Sequence, residues 1–208
     1  MSLILSLDIS TSTGFAVLDN TEPTKPVAFG AIKLSKRAKD YASHPWGYYL
    51  AAKDLAKQLV AKVLEVRPDV VVVEETNSAR SRFTQKYLEY CHFAFLFEFF
   101  EAFEGEEIKL VYLNTSDWRR TMDVRLTKED KGQNAKLSRH KRKSADRGVK
   151  LDKKALGIRG RTTIKHVAIR RANEIFGTAF LAKDDDAADA LLQALAFIRG
   201  CPPCTGKD

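Results

Sequence analysis

Four consecutive valines stand at residues 70–73, within the stretch "RPDVVVVEETN". Side chains along a strand alternate between the two faces of its sheet, so adjacent valines are all buried only if both faces are covered. The stretch therefore predicts a central strand with helices on both sides, which is the α/β class of fold. This strand is expected to end in two carboxylates, Glu74 and Glu75.

The other segments fit the same class. "SLILSLDIS" and "FAVLDN" flank the turn "TSTG" and predict a hairpin, and "PVAFGAIKL" predicts a third strand. Helical spacing of apolar residues predicts helices in "GYYLAAKDLAKQLVAKVLEV" and "RFTQKYLEYCHFAFLFEFFEAF", and a strand is expected at "IKLVYLN". Helices are also expected at "TIKHVAIRRANEIFG" and after the aspartates at 184–186. The order predicts a mixed sheet, antiparallel at its start and then parallel, flanked by helices.

Length and composition suit one domain spanning residues 1–208, with 44% hydrophobic and 30% charged residues. No run of eighteen apolar residues occurs, and the N-terminus has no basic lead, so we expect a cytoplasmic protein with no membrane partner. Three cysteines do not make a disulfide framework. Cys201 and Cys204 lie in a short tail, residues 200–208, and no second pair of metal ligands accompanies them.

Positive charge is concentrated in one segment. Residues 119–171 hold 19 Lys and Arg against 5 Asp and Glu, a balance of +14, whereas the rest of the chain holds 16 against 22, a balance of −6. Such blocks are often solvated faces, but this density is also typical of proteins that bind the phosphate backbone of nucleic acids. Residues 122–150 show no apolar periodicity, so we expect a mobile, basic insertion there.

Aspartates crowd the start of the last helix, in "AKDDDAADALLQALAF". Asp184, Asp185 and Asp186 could cap the helix and interact with its dipole. Asp189 lies a turn further in, on the same side as Asp186, where two like charges repel unless a cation lies between them. Capping and a metal site are both consistent with these residues alone.

Asp8 is expected to end the first strand, as Glu74 ends the valine strand. If these strands are neighbours and the last helix packs at the same edge, Asp8, Glu74, Asp186 and Asp189 converge. Four carboxylates need compensating cations, and oxygen ligands favour Mg²⁺ or Mn²⁺. Two such ions suit phosphodiester hydrolysis, one activating water and the other stabilising the leaving oxygen, with a lysine neutralising the phosphoryl charge.

The chain resembles the RuvC-like Holliday-junction resolvases of the ribonuclease H-like superfamily. "LSLDISTSTGFAVLD", "RPDVVVVEETN" and "DDDAADALLQALAF" are similar to the family's motifs in order, and they map its catalytic and metal-binding carboxylates to Asp8, Glu74, Asp186 and Asp189. "KKALGIRGRTTIKHV" looks like the stretch that supplies a functional lysine, mapped to Lys165. The extra aspartates leave open whether Asp185 or Asp186 is the ligand. The basic stretch at about 122–150 looks like an insertion relative to compact bacterial members.

The resemblance implies a ribonuclease H-like fold, a homodimer, and paired symmetric nicks in branched DNA during recombination or repair, with Mg²⁺ or Mn²⁺, two ions per site, and no small-molecule cofactor. The aromatic helix 82–103 needs a partner for its second face: either the dimer interface or burial under the basic segment. Phe83, Tyr87 or Tyr90 could alternatively stack on an unpaired base. The cations expected to contact DNA are Arg80, Arg82, Lys86, Arg119, Arg139, Lys141, Arg142, Lys143 and Arg161.

Other functions fit parts of the pattern. A ribonuclease H or a branched or flap DNA nuclease would use the same four carboxylates on another substrate. A catalytically silent DNA-binding module would use the basic segment alone. An actin-like kinase shares the first hairpin, but 208 residues and the lack of a second glycine-rich loop argue against it.

Overall fold

A computed structural model describes residues 2–34, 36–76, 82–146 and 160–204, without the side chains of Ala38 and Ala145. The strands are β1 (Leu3–Asp8), β2 (Ser12–Asp19), β3 (Ala28–Lys33), β4 (Val70–Glu74) and β5 (Lys109–Leu113). The helices in these ranges are α1 (Ala38–Tyr41), α2 (Trp46–Val66), α3 (Arg82–Ala102), α4 (Thr115–Thr121), α5 (Lys128–Asp146), α6 (Ile164–Phe176) and α7 (Asp185–Ile198).

The strands form one mixed sheet in the order β3-β2-β1-β4-β5. Strand β2 pairs antiparallel with both β1 and β3, whereas β4 pairs parallel with both β1 and β5. This arrangement confirms the predicted mixed sheet, including the hairpin and the central valine strand. Because β1 and β4 are parallel and pair Leu7 with Val73, the residues that follow, Asp8 and Glu74, lie side by side at one edge of the sheet.

Helices cover both faces of the sheet. On one face, α2 and α3 pack over a core that includes Leu5, Val71 and Val73. On the other face, α4, α6 and α7 pack over a core that includes Ile4 and Val72. The valines of β4 thus alternate between two apolar cores, which is why the strand tolerates no polar residue between them.

The basic segment contains a helix where the sequence shows no apolar periodicity. Within the basic insertion expected at 122–150, residues Lys128–Asp146 form α5. The buried apolar face of α5 consists of Leu137, which is 3% exposed. A single buried residue makes no repeating apolar pattern in the sequence. Strong helix formers and a reciprocal cap between Thr127 and Asp130 favour the helix instead.

The second face of α3 remains uncovered. Phe93, Phe97 and Phe100 are 69%, 55% and 62% exposed, so the part of the basic segment that the structure describes does not bury them. Tyr87 is buried and is therefore unavailable for base stacking, whereas Phe83 is exposed. None of the helices in the described ranges is both long and apolar enough to span a membrane.

Candidate active site

Glu74 is held at the end of β4 by two side chains of α4, the helix that follows β5. Thr115 donates its hydroxyl to Oε1 of Glu74 at 2.6 Å, and the indole Nε1 of buried Trp118 donates to Oε2 at 2.9 Å. Both donors lie on α4, whose start is capped by Asn114 through the backbone N–H of Ser116. Helix α4, which the sequence analysis did not foresee, thereby fixes the orientation of this carboxylate.

Glu75 has different partners. Its Oε2 accepts from Nδ2 of Asn114 at 3.5 Å and from the thiol of Cys204 in the tail at 3.2 Å. The two glutamates are adjacent in sequence, but only Glu74 is held by both donors of α4. This geometry favours Glu74 over Glu75 as the partner of Asp8.

A glycine allows the last helix to approach the first strand. Gly14 on β2 is paired directly with Asp8 on β1. A Cβ placed on Gly14 would lie 1.9 Å from the backbone oxygen of Asp186, so a larger residue would push the start of α7 away. The tight contact at Gly14 therefore brings Asp186 close to Asp8.

A buried hydrogen bond sets the position of α7 along the sheet. The hydroxyl of Ser6 donates to Oε1 of Gln193 at 2.7 Å. Ser6 lies two residues before Asp8 on the same strand face, and Gln193 lies one helical turn after Asp189. The Ser6–Gln193 pair therefore aligns Asp189 with Asp8.

The carboxylates interact strongly. The pKa of Asp8 is raised well above its usual value by burial and by the negative charges of Glu74, Asp189 and Asp186, against a smaller opposing effect of Lys165. Burial, Glu74 and Asp185 raise the pKa of Asp189 to about 7, although Arg119 and Lys165 act in the opposite direction. Asp189 is 6% exposed, and its Oδ1 has no hydrogen-bond partner in the described part of the chain. The site thus holds more negative charge than its own cations balance.

The aspartates at the start of α7 have separate partners. Asp184 is the N-cap residue, but its carboxylate accepts from the backbone N–H of Leu181 and does not cap the helix. Asp185 forms an ion pair with Lys165 of α6. Partial burial lowers the pKa of Lys165, but its bond to Asp185 and the charges of Asp185, Asp186 and Asp189 outweigh this effect. The pKa of Lys165 is therefore raised overall. Because Asp185 is occupied by Lys165 and Asp186 acts on Asp8, the geometry favours Asp186 as the candidate ligand.

Arg119 lies in the site, although the sequence analysis assigned it to DNA contacts alone. Its guanidinium stacks on the ring of Trp118 at 5.1 Å, and its charge lowers the pKa of Asp189. Its Nε is buried and has no partner among the described residues. Arg119 lines a cavity of about 290 Å³ together with Asp8, Glu74 and Thr115.

His92 closes the same cavity from α3. It is buried, and burial lowers its pKa to about 4 despite a hydrogen bond to the backbone of Ile9. The ring is therefore neutral at physiological pH. It adds no positive charge to balance the carboxylates.

The other cations assigned to DNA contacts lie on the surface. These exposed residues are Arg82, Lys86, Arg139, Lys141, Arg142, Lys143 and Arg161. Arg80 lies outside the described residues. Four of the exposed cations fall on α5, so this helix presents a strongly basic surface to solvent.

The residues fit a hard divalent cation in their chemistry, but no ready-made site is present. Within the described ranges, no three His, Cys, Asp or Glu side chains are already arranged to hold an ion. Both oxygens of Glu74 accept hydrogen bonds, and Asp185 is paired with Lys165. The unpartnered Oδ1 of Asp189 and the excess of buried negative charge are nevertheless what an oxygen-bound Mg²⁺ would relieve. Binding would require these side chains to rotate.

Comparison with known proteins shows the fold. The sequence matches no protein-family model and no curated protein. In structure, the chain is similar to RuvC of Thermus thermophilus in complex with a Holliday junction substrate, with 14% identity, a TM-score of 0.57, and coverage of 98% of this chain and 100% of that one.

Two further structures give the same result. A second Thermus thermophilus RuvC structure has 16% identity and a TM-score of 0.54 over 97% and 99% of the chains. The yeast mitochondrial Holliday junction resolvase Ydc2 has 15% identity and a TM-score of 0.53 over 95% of this chain and 78% of that one. The predicted ribonuclease H-like architecture is thereby confirmed, and the chain has the fold of the RuvC-like Holliday junction resolvases.

Proposed function

We propose that the protein is a metal-dependent endonuclease that cuts four-way DNA junctions by paired, symmetric nicks. The observation that carries the proposal is the group of interacting carboxylates, Asp8, Glu74, Asp186 and Asp189, in which burial and the charges of neighbouring carboxylates raise the pKa values of Asp8 and Asp189. Titratable groups perturbed in this way beside a cavity are typical of active sites. The fold of the resolvases and a basic helix nearby support the same conclusion.

In this proposal Asp8, Glu74, Asp186 and Asp189 bind Mg²⁺ or Mn²⁺, with two ions per site. Bound ions would supply an activated water and stabilise the leaving 3′ oxygen. Thr115 and Trp118 orient Glu74, as hydrogen-bond partners of a metal ligand commonly do. The charges of Lys165 and Arg119 both act on Asp189, and they can stabilise charge developing on the phosphoryl oxygens.

Substrate binding is assigned to the exposed cations of α5 and Arg161, which neutralise backbone phosphates. The exposed rings of α3 support the proposed homodimer. Phe93 and Phe97 line an apolar groove of about 490 Å³ with Tyr90 of α3 and Trp46 and Tyr49 of α2. A two-fold dimer would present two active sites to the two opposed strands of a junction.

The test is cleavage of end-labelled four-way junction, linear duplex and RNA–DNA hybrid in Mg²⁺, Mn²⁺ or EDTA. We expect paired nicks on the junction alone, and none in EDTA. Asp8→Asn, Glu74→Gln and Asp189→Asn should abolish cleavage and leave junction binding intact, because they remove a ligand without changing the basic surface.

Glu75→Gln is the matched control, since it makes the same chemical change one residue away from Glu74. It should keep most of the activity. Normal cleavage by Glu74→Gln would contradict the assignment of the site. Cleavage of the hybrid would indicate a ribonuclease H, and junction binding without cleavage would leave only a DNA-binding module.

A further inference from the structure

The start of α6 is held from outside by a side chain of α5. Asn134 donates Nδ2 to the backbone oxygen of Thr162 at 2.8 Å, and the backbone N–H of Thr162 donates to Oδ1 of Asn134 at 3.0 Å. One amide thus satisfies both polar groups of one backbone residue, across 28 residues of sequence. Thr162 lies in an extended stretch just before α6, and three residues later Lys165 forms its ion pair with Asp185.

Other residues also anchor α5 beside this contact. Asp130 accepts from Arg170 of α6 at 3.1 Å, and Leu137 is buried. Thr163, the N-cap residue of α6, and His166 cap the helix reciprocally. This capping fixes the first turn of α6, which contains Lys165. The backbone from which the Lys165 side chain reaches Asp185 is therefore held by two constraints, of which one comes from the basic helix.

We propose that Asn134 is a positioning residue that holds Lys165 in the active site through the backbone of Thr162. The expected effect of Asn134 on cleavage rests on the proposed function. Its effect on the position of Lys165 does not. Under this proposal, two parts of α5 have different roles. The exposed cations of this helix contribute to the affinity for DNA, whereas Asn134 affects the rate of the chemical step.

The first test measures the position of the amine directly. Lysine acetylation with a limiting reagent, read by mass spectrometry, compares Lys165 with reference lysines such as Lys57 in the full chain. In Asn134→Ala, Lys165 should react several-fold faster, because its amine is no longer held against Asp185. Gln133→Ala, the neighbouring amide on the same helix, should leave the labelling rate unchanged. Asn134→Asp keeps the bond from the N–H of Thr162 but places a carboxylate oxygen against the backbone oxygen of Thr162, so it should also speed the labelling.

The second test measures cleavage. At saturating enzyme, Asn134→Ala should lower the single-turnover rate on a four-way junction by about tenfold, because a misplaced catalytic group loses much of its effect, while junction affinity stays unchanged. In a Lys165→Met background the same substitution should cost nothing more, since the residue it positions is already absent.

Unchanged labelling of Lys165 in Asn134→Ala would overturn the proposal. So would a loss of cleavage rate on Asn134→Ala that is as large in the Lys165→Met background as in the wild type. Thermal unfolding of each variant identifies general loss of structure, and Asn134→Asp provides a variant of the same size. If the wild-type protein does not cut junctions, the proposed function fails, whereas the labelling result still decides whether Asn134 positions the amine.

Discussion

Gly14 shows how a missing side chain can place a functional group. It faces Asp8 across the hairpin, and its lack of a Cβ lets the backbone of Asp186 approach within contact distance. The approach of Asp186 to Asp8 depends on this contact. The distance between β2 and the start of α7 is thus as important for the site as the acidic residues themselves.

Replacing Gly14 with alanine should therefore affect both stability and cleavage. Because the new methyl group would lie 1.9 Å from the backbone oxygen of Asp186, α7 must shift, at a cost of about 1–3 kcal/mol in the free energy of unfolding. Urea denaturation and junction cleavage measure the two effects. Gly132→Ala is the control, since a Cβ there meets nothing within 4 Å. A Gly14→Ala protein as stable as the wild type would contradict the close packing.

The protonation of Asp189 should make stability depend on pH. Its carboxyl has a pKa of about 7 in the folded chain and an ordinary value of 3.8. Between these values the folded state binds a proton that the unfolded state has released, so the free energy of unfolding falls as pH rises from about 4 to about 7. In urea titrations with EDTA, Asp189→Asn should reduce this decline and leave the part that comes from Asp8, whose pKa is also raised, whereas Asp184→Asn should leave the whole decline in place. Identical pH profiles for wild type and Asp189→Asn would contradict the raised pKa.

The sequence assigned some residues to the candidate site and gave no sign of others, for a physical reason. Asp8, Glu74, Asp186 and Asp189 occupy positions that a strand end or a helix face can assign, because those positions follow from local periodicity. Arg119 stands in "TSDWRR", beside a basic segment, and nothing local distinguishes it from a surface cation. Its role depends on how α4 packs under α7, which is tertiary information.

At the scale of elements, α5 shows the limit of periodicity as a guide. The helix is specified by propensity and capping, and it is attached by a few side chains: Asp130, Asn134 and Leu137. The remaining surface is free to carry charge. A helix of this kind is expected to contribute to substrate affinity more than to the stability of the core.

Neutralising Lys141, Arg142 and Lys143 together should weaken junction binding. Loss of three phosphate contacts should reduce the slope of log affinity against log salt concentration by about 2 to 3. Fluorescence anisotropy over a range of salt concentrations measures this slope. The matched control neutralises the exposed cations Lys25, Lys57 and Lys109, of which Lys25 and Lys109 lie at the opposite end of the sheet from Asp8. If both triple variants behave alike, α5 is a solvated face and not a DNA contact.

At the scale of the whole molecule, the topology brings the candidate carboxylates to one edge of one sheet. The parallel pairing of β1 and β4 brings Asp8 beside Glu74, and α7 crosses β1 and β2 to add its aspartates. The order of strands and helices allowed this much to be predicted. The uncovered face of α3 lies on the other side of the sheet from α7, and whether a second copy covers it depends on surface complementarity that local patterns do not encode.

The exposed rings of α3 permit a test of the dimer that does not disturb the core. Because Phe93 and Phe97 are 69% and 55% exposed, replacing both with aspartate should hardly change the stability of one chain, but burying four new charges in an interface would be costly. Light scattering after size exclusion should show a dimer for the wild type and a monomer for the variant.

Charge at other exposed apolar positions provides the control for this variant. Val27 and Leu181 are 58% and 63% exposed, and replacing both with aspartate should leave the mass in solution unchanged. The Phe93 and Phe97 variant should also lose paired nicking, because one site alone cuts only one strand of a junction in each encounter, so nicked junctions should accumulate in place of resolved duplexes. A monomeric wild type, or a variant that remains dimeric, would show that α3 does not form the interface. Paired cleavage would then require another surface to bring two active sites together.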